Sequence, residues 1–155
     1  MKRLVSLAWT ALLGSSILFP ATATAEVVTQ TLAFEAECLD LEGGTIQNSC
    51  LDPSSDPASW DILVAYHADR TFHAVIFQNQ VNDVEIAYLE NTTFEAVTAA
   101  DIASATFTKD VLDPPCDRTS VALIRTDLGS VYKLGNGSED ENGFSFDYEL
   151  LLPVS

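Results

Sequence analysis

Apolar and polar positions alternate most clearly between Ser120 and Leu152. Val121–Thr126 is β-branched and apolar, Asp127–Gly129 carries turn chemistry, and Val131–Leu134 returns. The Gly/Asn/acidic run Asn136–Gly143 is expected to be a loop. Beyond it Phe144, Phe146 and Tyr148 alternate with Ser145, Asp147 and Glu149, the two-residue period of a strand with one buried face. Three strands in a meander are predicted here.

Upstream, Glu26–Phe34 is β-prone and predicts an opening strand. Glu35–Leu41 places Ala36 and Cys38 in one phase and Leu39 and Leu41 in the other, so its facing is ambiguous. Glu42–Thr45 is a hairpin turn signal and Ile46 begins the return. Trp60–Tyr66 is the most apolar strand after the N-terminal run and a central-strand candidate, with Phe72–Phe77 returning after a turn at Ala68–Thr71. Val84–Leu89 and Thr106–Thr108 read as further strands, and Asn91–Ser104 holds one helical turn. Asp113-Pro114-Pro115-Cys116-Asp117 is a rigid connector. The pattern predicts an all-β, predominantly antiparallel sandwich or open barrel with little helix.

The N-terminus changes the picture. Met1-Lys2-Arg3, the apolar run Leu4–Phe19 and Ala23-Thr24-Ala25 have the layout of a secretory signal, so residues 1–25 are read as a signal peptide and 26–155 as a single exported domain, periplasmic or extracellular. The formal charge is −16, and two of its seven basic residues would leave with the signal. Such a field repels phosphate backbones and anionic lipid, which argues against nucleic-acid partners and membrane insertion, and it attracts cations. Export places the three cysteines in an oxidising compartment, which predicts one disulfide. Cys38–Cys50 closes the shortest loop, and the two pairings that use Cys116 stay open.

No G-x-S-x-G, H-E-x-x-H, phosphate-binding loop or dinucleotide fingerprint is present, and the chain is read as non-enzymatic. The chemistry-bearing pair is His67 and His73. On one continuous strand they would stand roughly 20 Å apart at about 3.3 Å per residue. If Ala68–Thr71 turns a hairpin they become cross-strand neighbours, able to chelate one metal ion. The acidic stretch Asn136–Gly143 offers oxygens for calcium but lacks the spacing of a calcium loop. Asn91-Thr92-Thr93 and Asn136-Gly137-Ser138 match the glycosylation sequon.

Trp60-Asp61-Ile62, Thr93–Ala100, Ala105–Asp110, Arg125–Leu134 and Phe146–Glu149, in that order, resemble the HmuY-type domain of exported bacterial haem-binding proteins. The resemblance spans roughly Ser59 to Leu151. It implies an all-β antiparallel fold and, as in some members, capture of haem or a related tetrapyrrole through two axial His. None of the matched motif positions is a His here, so the ligand set is expected from His67, just past the W-D-I strand, and His73, with Tyr66 as a phenolate alternative. The rival expectation is an acidic interaction module with no small-molecule site, whose partner is another protein.

Overall fold

The computed structural model describes residues 25–34, 37–48, 50, 60–66, 74–79, 82–109 and 120–152. Among the described residues nine strands form two antiparallel sheets: a sandwich, not a closed barrel. The strands are β1 (Val28–Leu32), β2 (Glu37–Asp40), β3 (Thr45–Asn48), β4 (Ile62–Tyr66), β5 (Ala74–Gln78), β6 (Glu85–Glu90), β7 (Ser120–Arg125), β8 (Val131–Asp140) and β9 (Gly143–Leu152). The larger sheet runs β1-β9-β8-β7-β6 and the smaller β3-β2-β4-β5. Among the described residues no helix is long and apolar enough to cross a membrane.

The predicted meander is β7-β8-β9, and the aromatic alternation on β9 has the expected consequence. Phe144, Phe146 and Tyr148 are buried and their rings follow one another at 5.9 and 6.3 Å. They meet Leu39, Ile62 and Val64 of the smaller sheet in one apolar layer, with Leu32, Ile86, Ile124 and Leu134 alongside. The expected loop at Asn136–Gly143 is mostly strand instead. β8 continues to Asp140, and the length is taken up by a bulge between Gly135 and Ser138 that carries Asn136 at φ 55°. Only Glu141 and Asn142 turn the hairpin. Gly143 is required there: a Cβ would stand 2.2 Å from the Leu32 carbonyl oxygen, where β1 lies against β9.

The ambiguous facing of β2 has a physical answer, because both of its faces are covered. Leu39 enters the inter-sheet core, while Cys38 packs outside with Cys50, Trp60 and Leu63. Cys38 and Cys50 form the disulfide, closing the shorter loop; Cys116 lies outside the described residues. The outer face of the larger sheet is covered by residues 94–107. Phe94 opens a 3-10 turn, and α1 (Ala99–Ser104) follows with a capping box between Thr98 and Asp101. Phe94, Val97, Ile102 and Phe107 pack on Ala87, Val121 and Leu123. The expected strand at Thr106–Thr108 is a single bridge from Thr108 to Ile86.

Candidate functional site

At one end of the sandwich the β2–β3 turn of the smaller sheet meets the β7–β8 turn of the larger one. Three segments converge there. Asp40 ends β2 and Glu42 follows in the turn. Asp61 immediately precedes β4, and the register that sets Leu39 opposite Ile62 brings Asp61 beside Asp40 one step further along. The backbone of Asp61 is strapped on both sides: its N–H donates to the Leu39 carbonyl at 2.9 Å, and its carbonyl accepts from the Asn79 N–H at 2.6 Å. Asn79 also donates its side-chain amide to the Trp60 carbonyl at 2.8 Å. These bonds fix Trp60 and Asp61 as a rigid wall.

The carboxylate oxygens of Asp40, Glu42 and Asp61 lie within 4.8 Å of one another. Asp61 is 4% exposed, Asp40 half-buried and Glu42 exposed. One Asp61 oxygen accepts from the Leu41 N–H at 2.8 Å, and Glu42 accepts from the Thr126 hydroxyl at the end of β7. Glu42 therefore ties the two sheets together. Burial pushes the Asp61 carboxyl up to about 7; the Leu41 N–H opposes this, and the neighbouring Glu42 and Asp40 reinforce it. The Tyr132 hydroxyl on β8 is pushed up to about 12, by burial first and then by the charges of Glu42 and Asp61.

The three acids open on a cleft of about 290 Å³, lined by Asp40, Glu42, Trp60, Asp61, Asn82, Asp127 and Leu128. Asp127 and Leu128 are held over it by a tight turn, in which the Gly129 N–H bonds the Thr126 carbonyl and Gly129 takes φ +93°. Leu128 is 60% exposed. Among the described residues lining this cleft there is no Lys, Arg or His. Arg125, next to Thr126, is engaged by Glu85 at 2.8 Å and lies over the Phe107 ring. The indole Nε1 of Trp60 is buried without a hydrogen-bond partner among the described residues.

The arrangement suits the neutralisation of a positive charge attached to an apolar body. A hard divalent ion seeks about six to eight oxygens in a close shell, and the Trp60 and Leu128 walls supply none. Their aromatic and aliphatic surface favours an ammonium or guanidinium on a hydrocarbon stem. At about 30 Å³ per water the cleft has room for such a group.

The residues singled out from sequence stand elsewhere. Tyr66 is the last residue of β4 and pairs with Ala74 of β5, so the expected antiparallel pairing of these two strands is present. His67 and His73 lie outside the described residues. In the acidic hairpin, Asp140 uses its carboxylate on the N–H groups of Asn142 and Gly143 at 2.7 and 3.2 Å. The Asn136 amide, in one sequon, donates to Asp147 at 3.0 Å.

Sequence reasoning did not assemble Asp40, Glu42, Asp61 and Asp127. Asp40 and Glu42 border the β2–β3 turn, Asp61 precedes β4 and Asp127 sits in the β7–β8 turn; strand register and the stacking of the sheets bring them together. The available signal was an Asp interposed between Trp60 and an apolar strand. Comparison with family models, curated proteins and solved structures finds no match to this chain.

Proposed function

We propose that this chain is an exported, non-enzymatic binding domain whose ligand carries a positive charge, an ammonium or guanidinium on an apolar stem, and that it is held in the acidic cleft between the sheets. One observation carries the reading: a cleft walled by four carboxylates, Trp60 and Leu128, with no basic side chain among its described lining residues. The strongly acidic chain adds long-range attraction for such a ligand. Titration calorimetry with N-acetyl-lysine amide and N-acetyl-arginine amide tests it, with N-acetyl-norleucine amide as the uncharged control and calcium chloride in parallel. Saturable binding of either cation with none of norleucine is expected. Equal binding of norleucine, or binding of calcium alone, overturns it.

A second reading, haem capture, has one observation on its side. The Tyr66–Ala74 pair closes the described part of the β4–β5 ladder, and the connection beyond it begins with His67 and ends with His73. A hemin titration followed in the Soret region, with His67→Ala and His73→Ala beside the wild type, tests it. A saturable shift weakened by either substitution is expected, and a flat titration removes haem.

A further inference from the structure

We propose that the acidic cleft is gated by a single proton held between Asp61 and Glu42, and that it accepts its ligand only as that proton leaves, an inference that rests on the cationic-ligand reading above. Asp61 is buried at 4% exposure, and one of its oxygens is committed to the Leu41 N–H. Carboxylate oxygens of Glu42 and Asp61 lie within 4.8 Å of each other. Two carboxyl groups hydrogen-bond each other only with a proton between them. Glu42 also accepts from Thr126 of the other sheet, so the shared proton completes a bridge from β4 through the β2–β3 turn to β7.

The groups facing Asp61 from the surrounding elements keep that proton in place at low pH. Asp40 approaches from the end of β2, Glu42 from the turn, and Asp127 from the β7–β8 turn across the cleft. Tyr132 of β8 also borders the cluster, and Tyr148 of β9 stands near Asp40; both hydroxyls are raised, chiefly by burial, and bring no charge near neutrality. With no described basic side chain lining the cleft, two agents can relieve the crowding: the proton or a bound cation. They compete for the same charge.

The lifted Asp61 carboxyl, at about 7, places the exchange at neutral pH. Ligand affinity then falls about tenfold for each pH unit below 7, and close to one proton is released per ligand bound at pH 6. Above pH 8 affinity levels off. The domain would load in neutral or alkaline surroundings and release in acidic ones.

The decisive measurement is a carbon-13 NMR titration of the Asp and Glu carboxyl groups from pH 4 to 9, run on the ligand-free wild type and repeated with N-acetyl-lysine amide. The Asp61 carboxyl titrating near 7, and shifting downward with the amine, is the expected result. Asp61 titrating below pH 5 overturns the gate, whether or not the amine binds. Absence of amine binding at every pH sinks the ligand reading instead, and the neutral titration then stands as a property of the empty pair. Calorimetry of the Asp61→Asn variant adds a second readout. Its amine affinity is weaker than the wild type's but flat between pH 6 and 8, and a tenfold-per-unit slope persisting in this variant excludes Asp61 as the gate.

Discussion

Lys133 and Asp61 are both buried, 6% and 4% exposed, yet their surroundings are opposite in character. Lys133 on β8 points to the outer face of the larger sheet. Its ammonium donates to the Phe94 carbonyl at 2.9 Å, meets Glu149 of the neighbouring strand at 2.9 Å, and lies 4.2 Å from the centre of the Phe94 ring. Every demand of a buried cation is answered there: an opposite charge, a hydrogen-bond acceptor and an aromatic face. Asp61 has one backbone N–H and is otherwise crowded by acids. The first site locks residues 94–107 onto the sheet. The second leaves a charge unanswered inside a cleft, and an unanswered buried charge is where a ligand or a proton finds purchase.

Breaking the satisfied site has the largest expected effect. Lys133→Ala leaves Glu149 without its cation and the Phe94 carbonyl without its donor, at a cost of roughly 3 kcal/mol. Urea denaturation shows this as a lower midpoint at every pH between 5 and 9. A loss confined to one end of that range would mean that Lys133 is not the permanent anchor described. Next comes the wall behind the cleft. Cys38→Ala with Cys50→Ala opens a short loop beside Trp60 and lowers stability by about 2–3 kcal/mol, readable as a fall in Tm that reduction of the wild type reproduces.

The unsatisfied site has a pH signature of inverted sign. Folded Asp61 keeps its proton to about 7, whereas an unfolded Asp releases it near 3.8. Between those values the folded state binds more protons, so this group's contribution falls as pH rises, fully present below about 4 and lost above about 8. Asp101, held below the ordinary range by the Thr98 hydroxyl and N–H, works in the other direction but only under acid. Chemical denaturation from pH 4.5 to 8 is therefore expected to show stability declining with pH by a few kcal/mol at most, and the slope is expected to vanish in Asp61→Asn. A rising profile in the wild type would contradict the comparison. The smallest effect belongs to Thr126→Val, which removes the hydroxyl that Glu42 accepts and costs about 1 kcal/mol.

The sequence announced the fold more fully than the site because the two rest on different kinds of information. The period-two run at Phe144–Glu149, the turn at Asp127–Gly129 and the apolar β4 are local, and each strand formed near where its pattern lay. β8 outran its prediction because Gly, Asn and acidic residues look like loop, whereas pairing with β9 and one bulge hold them extended. Cys38 and Leu39 gave opposing phases because both faces of β2 are buried, one by Cys50, Trp60 and Leu63 and the other by the larger sheet, whose β9 lies about a hundred residues away. The cleft is wholly non-local. Asp40 and Asp61 become neighbours through the β2–β4 register, and Asp127 reaches them only when the sheets stack. No spacing along the chain encodes that meeting.

The pairing of β1 with β9 has a consequence in time. Thr29 hydrogen-bonds Asp147 across 118 positions of chain, so the larger sheet receives its first-made strand only after its last-made one exists. A contact this distant must overcome the loop-closure entropy of nearly the whole chain, and such topologies fold slowly. While the chain is being made, β1 waits unpaired, with Leu32, fully buried in the finished sandwich, uncovered. A chaperone that shields this short segment until synthesis ends would raise the yield of folded protein more than one acting on the β7–β8 hairpin, whose partners emerge together.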